Sequence, residues 1–246
     1  MARRSRVTPP EVRRYARALT AAARSVEGVV VSACYLHGSA ALGGFARGRS
    51  DVDLVLVLEQ PLEPAAAREL GRALLGVPSC PGAGLEASAV TRAAAASAAP
   101  PFSFVVHVAS SPDGERVVVG GGTDGDPDLA LHYAVVRQSG VAVEGPPPAE
   151  LVGPVPRELV LAALRDELGW GIEHGTMAYA VLNAARALRY GYEGVLCSKL
   201  DGGKWALALG EPVAVLRPAL DQQETGSDAL LSPAQRAWVE GVVRRL

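Results

Sequence analysis

The sequence predicts an α+β protein in two parts, on three observations. As far as about residue 150, short apolar runs of strand length alternate with helical stretches. From Pro156 onward almost every apolar residue recurs at helical spacing. Between them, the glycine- and proline-rich residues 145–148 read as a connector. We therefore expect residues 1–150 to mix strands and helices and residues 151–246 to form an all-helical domain. A crevice between two such domains is a favoured place for a ligand.

Each element follows from local chemistry. Thr8-Pro9-Pro10-Glu11 predicts a helix start, with Thr8 as cap, a proline in the first turn and Glu11 closing a capping box. Val12, Tyr15, Ala16 and Leu19 give that helix an apolar face, and Gly28 ends it. Residues 29–36 read as a buried strand, 38–48 as a glycine-rich turn and 51–58 as a second strand. Pro61 and Pro64 open an alanine-rich helix to about residue 75. Residues 85–91 and 103–109 are further strands, and Pro112-Asp113-Gly114 turns the latter back onto 117–119. A helix over 126–138 and a short strand over 141–143 complete the first part. Helices over 157–168 and 175–190 follow, then one after the cap Ser198 and one opened by the capping box Ser232-Pro233-Ala234-Gln235.

Composition excludes several classes. Of 246 residues, 49% are apolar and 20% charged, which supports a packed core rather than disorder. A net charge of −2 leaves no excess of Lys and Arg to neutralise phosphates along a duplex, so nucleic acid is not an expected partner. The 24 basic residues include only two lysines, Lys199 and Lys204. Cys34, Cys80 and Cys197 are too scattered for a zinc motif or a disulfide framework and read as inert thiols of a cytoplasmic protein. The basic residues 1–6 lack the apolar stretch of a secretory signal, and no run is long enough to span a membrane.

The stretch that carries chemistry runs from Leu36-His37-Gly38-Ser39 to Ser50-Asp51-Val52-Asp53-Leu54. A strand enters a Gly-Ser turn, a loop of small residues crosses over, and the next strand opens with Asp-x-Asp. Period two puts Asp51 and Asp53 on one face and Val52, Leu54 and Leu56 on the other. Two carboxylates so close repel unless a hard cation such as Mg²⁺ lies between them. Gly38 lets the backbone approach a phosphate, and the Ser39 hydroxyl and nearby amides can donate to it. Glu86 faces away from Leu85, Ala87 and Ala89 on a later strand. If that strand neighbours Asp51–Asp53, three acids converge for metal-assisted attack on phosphorus, one of them free to take a proton.

Gly-Ser, ten residues, then Ser-Asp-x-Asp-Leu resembles the nucleotidyltransferase superfamily, the DNA polymerase β-like fold. Asp126-Pro127-Asp128-Leu129-Ala130, then residues 141–146 and Asp166-Glu167, look like the middle of the aminoglycoside (3″)(9) adenylyltransferases. The run from Ala180 to Arg186, then Ser198-Lys199 and Lys204-Trp205-Ala206, is similar to that family's helical domain. The resemblance covers most of residues 25–210, and the last 35 residues match poorly. It implies a nucleotidyltransferase domain with a mixed sheet and flanking helices, followed by a helical domain that closes on the nucleotide. It implies Mg²⁺ on Asp51 and Asp53, Glu86 as general base, and the ATP triphosphate on Gly38, Ser39, Ser50, Arg186 and Lys199. AMP passes to a hydroxyl of a small cationic drug and pyrophosphate leaves.

Two departures bear on the drug. Streptomycin-using members carry a Trp after the third acid's strand, where this chain has Phe104-Val105-Val106-His107, and an acid near the central helix, where it has Glu173. With Glu173 and His107 as the candidate substrate contacts, spectinomycin is favoured over streptomycin. Plain structural readings stand beside these roles: a solvated strand end for Asp-x-Asp, a surface arginine for Arg186, a structural histidine for His37, and core or seam residues for Trp170 and Trp205. The competing functions are a nucleotidyltransferase acting on protein, RNA or another small molecule, and a nucleotide-binding module without turnover. A monomer is expected.

Overall fold

The computed structural model describes residues 8–120, 125–226 and 229–246; the basic residues 1–6 and the glycine stretch 121–124 lie outside the described residues. The chain divides into two compact units, Met1–Val155 and Pro156–Leu246.

Among the described residues the first unit is built on six strands: β1 (Val31–Leu36), β2 (Val52–Leu58), β3 (Leu85–Thr91), β4 (Val106–Ser111), β5 (Gly114–Val119) and β6 (Val141–Glu144). Their order is β5-β4-β3-β2-β1-β6, and the sheet is mixed, with β2 and β3 parallel and the other neighbours antiparallel. Helices α1 (Pro10–Arg24) and α3 (Pro64–Leu75) cover one face. Val12, Leu19, Leu70 and Leu74 pack there against Leu54, Leu56, Ala87, Val106 and Val108. Gly71 lets α3 come close, because a Cβ there would press on Val117. Val52, Leu54 and Leu56 therefore lie on the core face, as the period of two requires, and Asp53 lies on the other. That other side carries α2 (Gly38–Leu42), α4 (Arg92–Ser97), α5 (Leu129–Ser139) and α6 (Pro148–Leu151).

The second unit consists of α7 (Arg157–His174), α8 (Met177–Glu193), α9 (Lys199–Leu209), α10 (Val213–Thr225) and α11 (Pro233–Val243) among the described residues. Helix α8 is central, packing against each of the others. Ser198 caps α9 by accepting from the Asp201 amide at 3.1 Å, and Ser232 and Gln235 close both halves of their capping box. Among the described residues no helix is long and apolar enough to cross a membrane.

Several local expectations are corrected. The box at Thr8 does not form: Pro9 is the cap residue, and the Thr8 hydroxyl donates instead to the Ala40 carbonyl at 3.1 Å. Thr8 sits one residue too early to reach the first-turn amides. The small-residue turn contains the one-turn helix α2, ended by Gly43 in the left-handed conformation. The fourth strand starts at Val106 rather than residue 103, because Phe102 has φ 56° and the chain is still turning there. Helix α7 continues six residues past the expected Leu168, with Gly169 and Gly171 in its interior. Helix α10 was not expected, since Pro218 lies inside it.

Candidate active site

The site grows from one register. Asp53 on β2 is the direct parallel partner of Glu86 on β3, so two side chains of like charge leave adjacent strands on the same face. Asp51 stands just before β2 and adds a third negative charge; it is exposed, whereas Asp53 is half-buried. Burial, and next to it the charge of Glu86, pushes the Asp53 carboxyl up to about 7. Opposing this, His132 and a hydrogen bond from the Ser39 amide favour the ionised form.

Gly38 is fixed by the same carboxylate. It has φ 50°, and a Cβ there would collide with Asp53 Oδ2. The His37 amide donates to the Asp53 carbonyl at 3.0 Å, which ties the end of β1 to β2 just before the turn. The glycine thus lets the turn close onto Asp53. The Ser39 amide is spent on that carboxylate, while the Ser39 hydroxyl is buried without a hydrogen-bond partner among the described residues. Ser50 braces the loop that leads into β2: its hydroxyl accepts from the Ala46 amide at 3.0 Å.

Two histidines flank Glu86. His107 on β4 is buried, and its Nδ1 lies 3.0 Å from the Ser88 hydroxyl, one strand step from Glu86. Burial holds its imidazole below the ordinary value. His132 on α5 places Nε2 at 3.9 Å from Glu86 Oε1, and its ring lies 4.7 Å from that of the buried His37. Sequence reasoning missed His132. The only available signal was its place on a helix following Asp126-Pro127, and helical spacing alone does not say that α5 crosses the end of β3.

The second unit carries its own polar chain. Arg186 on α8 donates to Asn183 Oδ1 at 3.0 Å, and the Asn183 amide donates to Glu167 Oε1 on α7 at 2.9 Å. Tyr179 donates to the same oxygen at 3.4 Å, and the Lys199 ammonium stands 4.5 Å from the Tyr179 ring centre. Gly202 lets α9 lie against the Arg186 stem, since a Cβ there would come within 2.8 Å of its Cγ. Arg186 and Lys199 are thus linked through Asn183, Glu167 and Tyr179. Glu173 is exposed on the last turn of α7. Trp170, expected in core or seam, is 53% exposed and lies against His174 and Tyr179. Cys34 and Cys197 are buried, and burial pushes the Cys34 thiol up to about 12.

Comparison with known proteins bears on the fold and on the helical unit. Residues 150–242 match the family model for the aminoglycoside adenylyltransferase C-terminal domain. No curated protein matches the chain. Among solved structures, the chain is similar in fold to spectinomycin adenyltransferase AAD(9) from Enterococcus faecialis, solved with ATP and spectinomycin. The TM-score is 0.67 at 14% identity, over 92% of this chain and 97% of that one.

Proposed function

We propose that this chain, an aminoglycoside adenylyltransferase-like nucleotidyltransferase, transfers AMP from ATP to a hydroxyl of an aminocyclitol or aminoglycoside, with spectinomycin favoured over streptomycin. The observation that carries the reading is the pairing of Asp53 with Glu86 across β2 and β3, with the Gly38–Ser39 turn closed onto Asp53.

The donor set suits Mg²⁺. Among the described residues no group of three or more His, Cys, Asp or Glu is arranged to hold a metal. Mg²⁺ does not need one, since it is usually held by one or two carboxylates together with substrate phosphates and water. Asp51 and Asp53 supply those carboxylates, and burial together with the charge of Glu86, which push the Asp53 carboxyl up to about 7, would favour a cation beside it. Asp51 and Asp53 would hold the ion, whose chemistry there would be to offset negative charge on a transferring phosphate.

The chain's own residues do the rest. Glu86 takes the proton of the substrate hydroxyl, whose oxygen attacks the α-phosphorus, and pyrophosphate leaves. The buried Ser39 hydroxyl donates to the triphosphate, and Ser50 shapes the loop beside it. We assign Arg186 and Lys199 to the triphosphate as well. Glu173 receives the cationic substrate and His107 forms a wall of its site. The same reading makes the protein a cytoplasmic monomer that takes no nucleic acid.

The test is pyrophosphate release from Mg²⁺-ATP with spectinomycin and with streptomycin. Release with spectinomycin alone is expected. Calorimetric binding of ATP with release from neither drug would overturn the substrate assignment and leave a nucleotide-binding module.

A further inference from the structure

We propose that His132 is a positioning residue for Glu86: its Nε2–H holds one carboxylate oxygen and so turns the other toward the substrate hydroxyl. This rests on the adenylyl-transfer reading, in which Glu86 takes that proton.

The geometry carries the inference. Helix α5 packs against α2 and brings His132 Nε2 to 3.9 Å from Glu86 Oε1. That is longer than a hydrogen bond, but the Glu86 side chain is 40% exposed, and a small torsion of its flexible stem closes the gap. Catalytic contacts are commonly loose before substrate binds. The ring's other nitrogen, Nδ1, is buried without a hydrogen-bond partner among the described residues. The polar contact the ring can make is therefore at Nε2. The His37 ring, 4.7 Å away and inclined by 41°, limits its rotation.

A base in this position needs such a partner. Register sets Glu86 directly beside Asp53, so it can swing in and become a further carboxylate on the cation. A carboxylate bound to a cation is a poor proton acceptor, because the metal occupies the lone pair it would use. His132, on the helical layer rather than in the sheet, offers Glu86 a competing partner and keeps base and metal ligands distinct. The other titratable groups around His132 are His37 at the head of α2, Asp53 on β2 and His107 on β4.

His132→Leu and His132→Gln test it, with Mg²⁺-ATP and spectinomycin. The leucine variant should lose about 10- to 100-fold in kcat, as removal of an orienting partner typically does. Its KM for ATP and calorimetric ATP affinity should stay unchanged. His132→Gln keeps an N–H donor on a similar stem and should recover most of the loss. Wild-type kcat in both variants, or a raised KM for ATP with kcat intact, would overturn the proposal. If the leucine variant does not fold, His132→Ala takes its place: a loss in kcat that His132→Gln recovers supports a donor role, and wild-type kcat in His132→Ala refutes it. A second readout is independent of turnover. Nitrogen-15 spectra of His132 should show the proton on Nε2 in the wild type and lose that preference in Glu86→Leu, which has no acceptor; identical spectra would sink the idea. A wild type that modifies neither drug breaks the functional reading, and the spectra then decide the His132–Glu86 contact by themselves.

Discussion

At the end of the sheet, Asp53 faces Glu86 across paired strands with Asp51 two residues away, three negative charges gathered by backbone register. On the helical unit, Arg186, Asn183 and Glu167 alternate positive, neutral and negative along two hydrogen bonds. In the first cluster Asp53 and Glu86 repel each other across the register, and the second is balanced within itself. Folding tolerates the first because strand pairing and the apolar face of β2 hold it in place, and on the proposed function a ligand's charge offsets the repulsion. The second contributes to holding α7 and α8 together. Removing a polar group should therefore have opposite effects on stability in the two regions.

The largest effect is expected from Asp53→Asn. On the proposed function it removes a metal carboxylate, so AMP transfer should fall by about a hundredfold to a thousandfold. The protein without ligands should become more stable. The Asp53 carboxyl, about 7 in the fold against an ordinary 3.8, favours folding while protonated. That contribution is fully present below the ordinary value and is lost as pH rises through about 7. Wild-type stability should thus decline between about pH 4 and pH 7, by at most about 4 kcal/mol from this group. In Asp53→Asn this decline should be absent. Denaturant melts at pH 5 and pH 8 check it; a variant less stable than wild type at pH 8 would show that burial and Glu86 do not disfavour the ionised carboxylate.

Gly38→Ala attacks the same cluster through the backbone. A side chain at φ 50° costs about 1–2 kcal/mol, and the collision with Asp53 Oδ2 adds a similar amount, so unfolding should become easier by about 3 kcal/mol. If urea melts show a loss under about 1 kcal/mol, the turn relaxes away from Asp53 and the close approach is not required.

The two regions also differ in how far the sequence discloses them. The sheet end is legible because its chemistry is local: a Gly-Ser turn, an Asp-x-Asp pair and an alternating strand each occupy a few consecutive residues. Even the adjacency of Glu86 follows once β2 and β3 are joined by a single helix. His132 was hidden because nothing in its own helix encodes which strand end α5 crosses. Helix α2 was hidden inside a run of small residues that reads equally well as a turn, and α10 was hidden by Pro218, whose missing amide breaks only one hydrogen bond of a helix held by α8 and α9. In the helical unit, Arg186 and Lys199 stood out by resemblance. Asn183 and Glu167 lie in the same resembling stretches, but their link to Arg186 was not legible, because an amide on a helix face has no signature until its partners on α7 are placed.

The smallest effect should come from Asn183→Ala, and it sharpens the comparison most. Asn183 is 1% exposed and joins Arg186 to Glu167. Its loss takes an N–H from the Glu167 carboxylate, whose other oxygen, Oε2, is already buried without a partner among the described residues. Leaving a buried acceptor less satisfied should cost about 1–3 kcal/mol of stability, the reverse of the gain expected at Asp53. Arg186 keeps its charge but loses the oxygen that orients it. If Arg186 meets the triphosphate, KM for ATP should rise by about threefold to tenfold, roughly the value of one neutral hydrogen bond, with kcat little changed. A melt shifted downward with KM untouched would make the Arg186–Asn183–Glu167 chain a structural clamp between α7 and α8, and would move the triphosphate contact away from Arg186.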